Sequence, residues 1–212
     1  MLTTIAAALF AGLVAVLVTV AVEKWGGVVG GILGTLPTTI VPATIGMYIE
    51  GGSEDLATSM SLIPFWMLLN ALFVGSWVAY PRIRKNVAIK EMTSVALIFW
   101  ITAALVMTFV LSIALEHYSK LWIGVTGLIF LIGLGLWMTF TPRNAPKGKN
   151  KVSKQVLVIR GSAAAIAIGI AVQLSSMGQP IVAGLASVFP AIFLTTMVAL
   201  WLAQGPEVPT GA

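Results

Sequence analysis

The 212-residue sequence contains no cysteine, which excludes disulfides, thiolate metal sites and cysteine nucleophiles together. Histidine is almost as scarce. His117 is the single imidazole and follows Glu116 directly, and with no third ligand in sight the two read as a surface pair and not a metal site. Charge is sparse as well: charged residues make up 9% of the chain, where a soluble domain carries about 25%. No Ser/His/Asp arrangement, metalloprotease pattern or phosphate-cradling loop is visible, so an enzyme is the least expected class and no cofactor is expected.

What the chain has in excess points one way. Hydrophobic residues make up 58%, mean hydropathy is +1.02, and there are 21 glycines and 10 prolines. Glycine and proline are both more frequent in membrane helices than in soluble ones. The expected fold class is therefore all-α, a polytopic membrane helix bundle with the lipid bilayer as its main partner. The net charge of +5 does not indicate nucleic acid, because the basic residues are confined to short loops between apolar runs.

A spanning helix needs about 20 apolar residues, and seven segments qualify: roughly 3–22, 27–49, 59–80, 91–115, 121–141, 156–175 and 180–203. The first has no basic n-region and no cleavage site before a soluble domain, so it reads as a retained helix. Cytoplasmic loops carry the excess of Lys and Arg. The loops at 81–90 (Arg82, Arg84, Lys85, Lys90) and 142–155 (Arg143, Lys147, Lys149, Lys151, Lys154) are therefore expected inside, and the acidic connection with Glu50, Glu54 and Asp55 outside. This places the N-terminus outside a cytoplasmic membrane, bacterial or archaeal by expectation. Residues 143–154 are also the one low-complexity linker, rich in Pro, Gly, Asn and Lys.

Shifting the chain by 153 residues lays segment 27–49 on segment 180–203. Gly31 falls on Gly184, Pro37 on Pro190, Gly52 on Gly205 and Glu54 on Glu207. The unit is then five helices, and an odd number of spans inverts the second copy, in agreement with the charge-based orientation. Residues 1–142 form one copy and 155–212 the first two helices of another. Two full copies need roughly twice that 153-residue shift, so three further spans are expected beyond Ala212.

The stretch GGILGTLPTTIVPATIGMYIEGGSEDLATSMSLIPFWMLLNALFV, a glycine-rich helix with a central proline followed by a helix opening with proline and aromatics, resembles the small GlpM-like bacterial inner-membrane proteins. That resemblance covers about residues 27–75 and implies an architecture without an activity. The five-plus-five inverted plan is similar to that of drug/metabolite transporters by architecture only.

Discontinuous helices paired across two repeats are the best sequence pointer to a transport site. Segment 27–49 carries Thr35, Pro37, Thr38, Thr39 and Pro42 near the midplane, and segment 180–203 answers with Ser187, Pro190, Thr195 and Thr196. Proline frees the carbonyl four residues earlier, so Leu33 and Thr38 lose their usual partners. Alternatively, Pro37 and Pro190 merely kink structural helices while the glycines at 27, 30, 31 and 34 pack them closely, or support a homodimer. Asn70 is read as an interhelical hydrogen bond or a substrate contact. Glu23 and Glu50 are candidates for coupling or for interfacial caps, and Arg160 is read as snorkelling from the cytoplasmic end of its helix. The seven tryptophans are read as an aromatic belt at headgroup depth. These residues lead to secondary transport of a small molecule or ion, with scarce deep charge favouring a neutral or weakly polar solute. The competing expectation is a non-transporting subunit that scaffolds a larger assembly.

Overall fold

The computed structural model describes residues 1–25, 38–139 and 153–204; at 22–25, 138, 139, 192, 199, 200, 203 and 204 the backbone alone is described. Among the described residues every regular element is an α-helix: α1 (Leu2–Trp25), α2 (Ile40–Ile83), α3 (Ile89–His117), α4 (Lys120–Thr139), α5 (Lys154–Ser176), α6 (Pro180–Ser187) and α7 (Ala191–Gln204). Helices are the expected outcome for apolar runs of this length, because each backbone N–H and C=O finds its partner inside its own segment. Among the described residues five helices are long and apolar enough to cross a membrane: α1, α2, α3, α4 and α5. Their outward faces are apolar, with Leu9, Leu17, Leu105, Phe109, Ile129 and Phe130 among many exposed side chains. Apolar surface on this scale is the face a protein turns to lipid.

A straight helix of 44 residues would run about 66 Å, twice the roughly 30 Å of a bilayer core. α2 is not straight. At Gly52 the backbone takes φ 78° and ψ −178°, a combination essentially reserved for glycine. Thr44 Oγ1 lies 3.7 Å from Met60 Sδ, and both residues stand eight positions from Gly52, so the chain folds back there into two arms, 40–51 and 53–83. The acidic connection expected as a loop is reduced to one residue. The expected span 59–80 lies inside the longer second arm.

Segment 180–203, expected as one span with Pro190 as its kink or interruption, is two helices. α5 ends in a Schellman turn: Gln179 N–H reaches Leu174 O at 3.0 Å, Gly178 N–H reaches Ser175 O at 3.0 Å, and Gly178 has φ 68°. Pro180 follows at the first position of α6, where a missing N–H costs nothing. α6 then stops at Ser187, and α7 begins at Ala191.

Two compact units result, residues 1–60 with 151–192, and residues 61–150 with 193–212. In the first, a core of Ala7, Ala11, Ala43, Met47, Ile168, Val172 and Ala183 joins α1, the first arm of α2, α5 and α6. α1 and α5 are antiparallel and nearly touch. A methyl group on Gly12 would fall 2.9 Å from Gly161 O and 3.3 Å from Ala165 Cβ; one on Gly161 would fall 2.8 Å from Val16 Cγ2, and one on Gly169 3.4 Å from Ala8 Cβ. In the second unit the tight contacts are between α4 and the second arm of α2, where Gly124 lies against Ser61 and Gly127 against Phe65. The connection from α2 to α3 is clamped by Glu91, whose carboxylate accepts from Tyr80 Oη at 2.7 Å and pairs with Arg84 at 2.9 Å.

Candidate functional site

The interruption at Val188–Pro190 is built from short-range bonds. Val188 N–H turns back to Leu185 O at 3.3 Å, Phe189 N–H to Ala186 O at 3.2 Å and Ala191 N–H to Phe189 O at 2.7 Å. Pro190 has no N–H to continue the ladder and is fully buried. The buried Ser187 hydroxyl donates to Gly184 O at 2.7 Å, capping α6 from within. A carbonyl-bearing helix end and an N–H-bearing helix start thus lie three residues apart, with Val188 and Pro190 buried and Phe189 exposed between them, a pairing that can face ions or dipolar groups of either sign.

Thr38 and Thr39, both half-buried, form a turn, and α2 starts only at Ile40. Pro42 is fully buried in the first turn, where N–H groups lack helical partners anyway. The Thr38 carbonyl expected to be freed by Pro42 is not free, since it accepts from Val41 N–H at 3.4 Å, and Thr39 O accepts from Ala43 N–H at 3.3 Å. Thr44 Oγ1 donates to Ile40 O at 2.7 Å. Ala43 and Ala183 share the first unit's core, which brings the start of α2 and the body of α6 together. Thr35, Pro37 and the glycines at 27, 30, 31 and 34 lie outside the described residues.

Thr38, Thr39, Pro42, Ser187 and Pro190 belong to the first unit, whereas Asn70, Thr195 and Thr196 belong to the second. Asn70 is buried, and its Oδ1 accepts from Trp100 Nε1 at 3.0 Å, the interhelical bond that was one of its two readings. Thr195 and Thr196 are half-buried on α7. Glu50 is 3.9 Å from the amino group of Met1, which puts the start of α1 and the end of the first α2 arm at one level. The side chain of Glu23 lies outside the described residues. His117 is exposed, its Nδ1 2.9 Å from Ile113 O. No group of three His, Cys, Asp or Glu that could hold a metal occurs among the described residues.

Two features escaped sequence reasoning. Arg160 does not snorkel: it is buried, and its Nη1 donates to Thr19 Oγ1 of α1 at 3.5 Å. Nor do the tryptophans form a uniform belt. Trp122 and Trp137 are exposed as a belt requires, but Trp66, Trp77, Trp100 and Trp201 are buried. A signal existed for two of these: Trp66, Asn70, Phe73 and Trp77 recur at helical spacing around a polar residue, which marks an inward face. No family model, curated protein or solved structure matches the chain.

Proposed function

We propose that the protein is an integral membrane secondary transporter of a small solute, with its site where segments 27–49 and 180–203 cross. The observation that carries this reading is the break at Val188–Pro190, whose Val188 and Pro190 are buried. A structural helix gains nothing from a break inside the protein, whereas an unwound segment near the midplane supplies the backbone dipoles that transporters use as ligands. The turn at Thr38 and Thr39 ahead of α2 lies in the segment that the 153-residue shift pairs with the break. In this reading the chain spans the bilayer seven times: the fold-back at Gly52 divides α2 between two spans, and α6 with α7 make one broken span.

The contact between α1 and α5 supports an inverted repeat. A two-fold axis relating each residue to the one 153 positions later must pass between Gly12 and Ala165, and it must exchange the pair Ala8–Gly169 with the pair Val16–Gly161. All three pairs are among the close approaches between α1 and α5, beside that of Gly12 to Gly161. Rocking of the two repeats about this axis would alternate access, with Glu23 and Glu50 available for coupling. The pairing of Met1 with Glu50 fits an N-terminus and an acidic turn on one side of a cytoplasmic membrane, opposite the basic loops. The GlpM-like resemblance fits this architecture and adds no activity.

The absence of native cysteine offers a direct test. Thr39→Cys, reconstituted in oriented proteoliposomes, is expected to react with a membrane-impermeant maleimide applied from either side, and Pro190→Ala, which lets α6 continue into α7, to abolish labelling from one side. Protection from both sides would overturn the transport reading in favour of a non-transporting subunit whose helices are packed shut.

A further inference from the structure

The second arm of α2 presents one buried face, Leu62, Trp66, Leu69, Asn70, Phe73 and Trp77, at the three- and four-residue spacings of a helix. Two groups on it are anomalous. The indole Nε1 atoms of Trp66 and Trp77 are inaccessible and have no hydrogen-bond partner among the described residues. Trp100, packed in the same unit, donates its own indole N–H to Asn70. A buried donor left unpaired costs about 1–3 kcal/mol, a penalty phenylalanine would avoid at either position. Rings surround the second orphan: Trp77 meets Trp201 edge-on at 5.9 Å and Phe73 at 6.4 Å. Eleven residues separate the two donors, about 16 Å along the helix axis. They do not converge on one small ligand, but they mark a line through roughly half of a bilayer core.

We propose that this face of α2, from Trp66 past Asn70 to Trp77, lines a solute path whose open form gives both indole N–H groups a hydrogen-bond acceptor, and that the solute is uncharged, with acceptor oxygens on an apolar body. The inference rests on the transport reading and specifies its substrate class. Indole is a donor only, so the partner must accept. From Leu62 to Trp77 the sequence has no Asp, Glu, Lys, Arg or His, and a charge passing such a wall would go uncompensated. The aromatic edges favour an apolar body.

The test uses the intact chain in lipid nanodiscs with 15N-labelled tryptophan, each indole signal assigned by Trp→Phe substitution at 66, 77 and 100. On transfer to D2O the Trp66 and Trp77 N–H signals are expected to decay about tenfold faster than that of Trp100, which must first break its bond to Asn70. Equal or slower decay would overturn the path. N-methylacetamide, a neutral carbonyl acceptor, is expected to shift both signals. No shift would overturn the binding, and a shift with sodium chloride would overturn the uncharged class. Fast exchange in a protein whose Thr39→Cys is sealed from both sides would end the transport reading and leave a hydrated face; slow exchange with two-sided labelling would do the reverse.

Discussion

Both compact units use glycine at a close helix contact, and they differ in what fills the rest. In the first, backbones approach: Gly12, Gly161 and Gly169 let α1 and α5 almost touch, and the buried hydroxyls of Thr19, Thr58, Ser59, Ser175 and Ser187 are all hydrogen-bonded. In the second, large rings fill the space, and two of their N–H groups have no described partner. Lipid provides no hydrophobic drive between helices, so contact must come from close backbones or from extensive side-chain surface. In the first, two of these bonds, Ser59 to Pro180 O and Ser175 to Met47 O, tie α6 and α5 to α2, and the donors are already used. The second keeps donors in reserve for a different arrangement.

The comparison breaks most severely at Gly12. Gly12→Val places a branched side chain against the Gly161 carbonyl, which cannot move without moving α5, and is expected to cost about 3 kcal/mol by SDS titration followed by circular dichroism. Gly133→Val on α4, where an added Cβ meets nothing within 4 Å, should stay within about 0.5 kcal/mol of the parent. Equal losses would show that glycine matters here for chain flexibility and not for approach. Next in size is Gly52→Ala. A Cβ there also meets nothing within 4 Å, so its cost is purely torsional, about 2 kcal/mol by the same titration. A neutral result would mean that the fold-back can be made with ordinary backbone angles.

How far these features could be read in advance follows from what each depends on. Helices were legible because a bilayer demands apolar runs of fixed length, and the break at Pro190 because proline removes a donor wherever it sits. The single-residue turn at Gly52 was not, since IEGGSEDLA is polar enough for a loop and only the helices on either side make it tight. Trp66 and Trp77 were read as headgroup anchors because buried and interfacial tryptophans look alike in composition; Asn70 between them was the distinguishing sign. Arg160 stands seven residues into α5, shallow enough to snorkel, and it is the packing of α1 that covers it.

The smallest expected effects sharpen the contrast between the units. Ser59 Oγ donates to Pro180 O at 2.7 Å in the first, and Trp100 Nε1 to Asn70 Oδ1 at 3.0 Å in the second. Asn70→Ala removes the acceptor of the Trp100 indole N–H, and about 1.5 kcal/mol of stability should be lost. Ser59→Ala removes a donor from a helical carbonyl that also belongs to the ladder of α6, and about 0.6 kcal/mol is expected, the usual size of an interhelical bond in a membrane. The double variant Asn70→Ala/Trp100→Phe separates the cost of removing the acceptor alone from the worth of the bond, since removing both partners should recover part of the loss. If Asn70→Ala costs no more than Ser59→Ala, unpaired indoles are cheap in the second unit, and Trp66 and Trp77 need no acceptor. A larger cost means that two such groups would not persist on one face of α2 unless another state of the protein satisfied them.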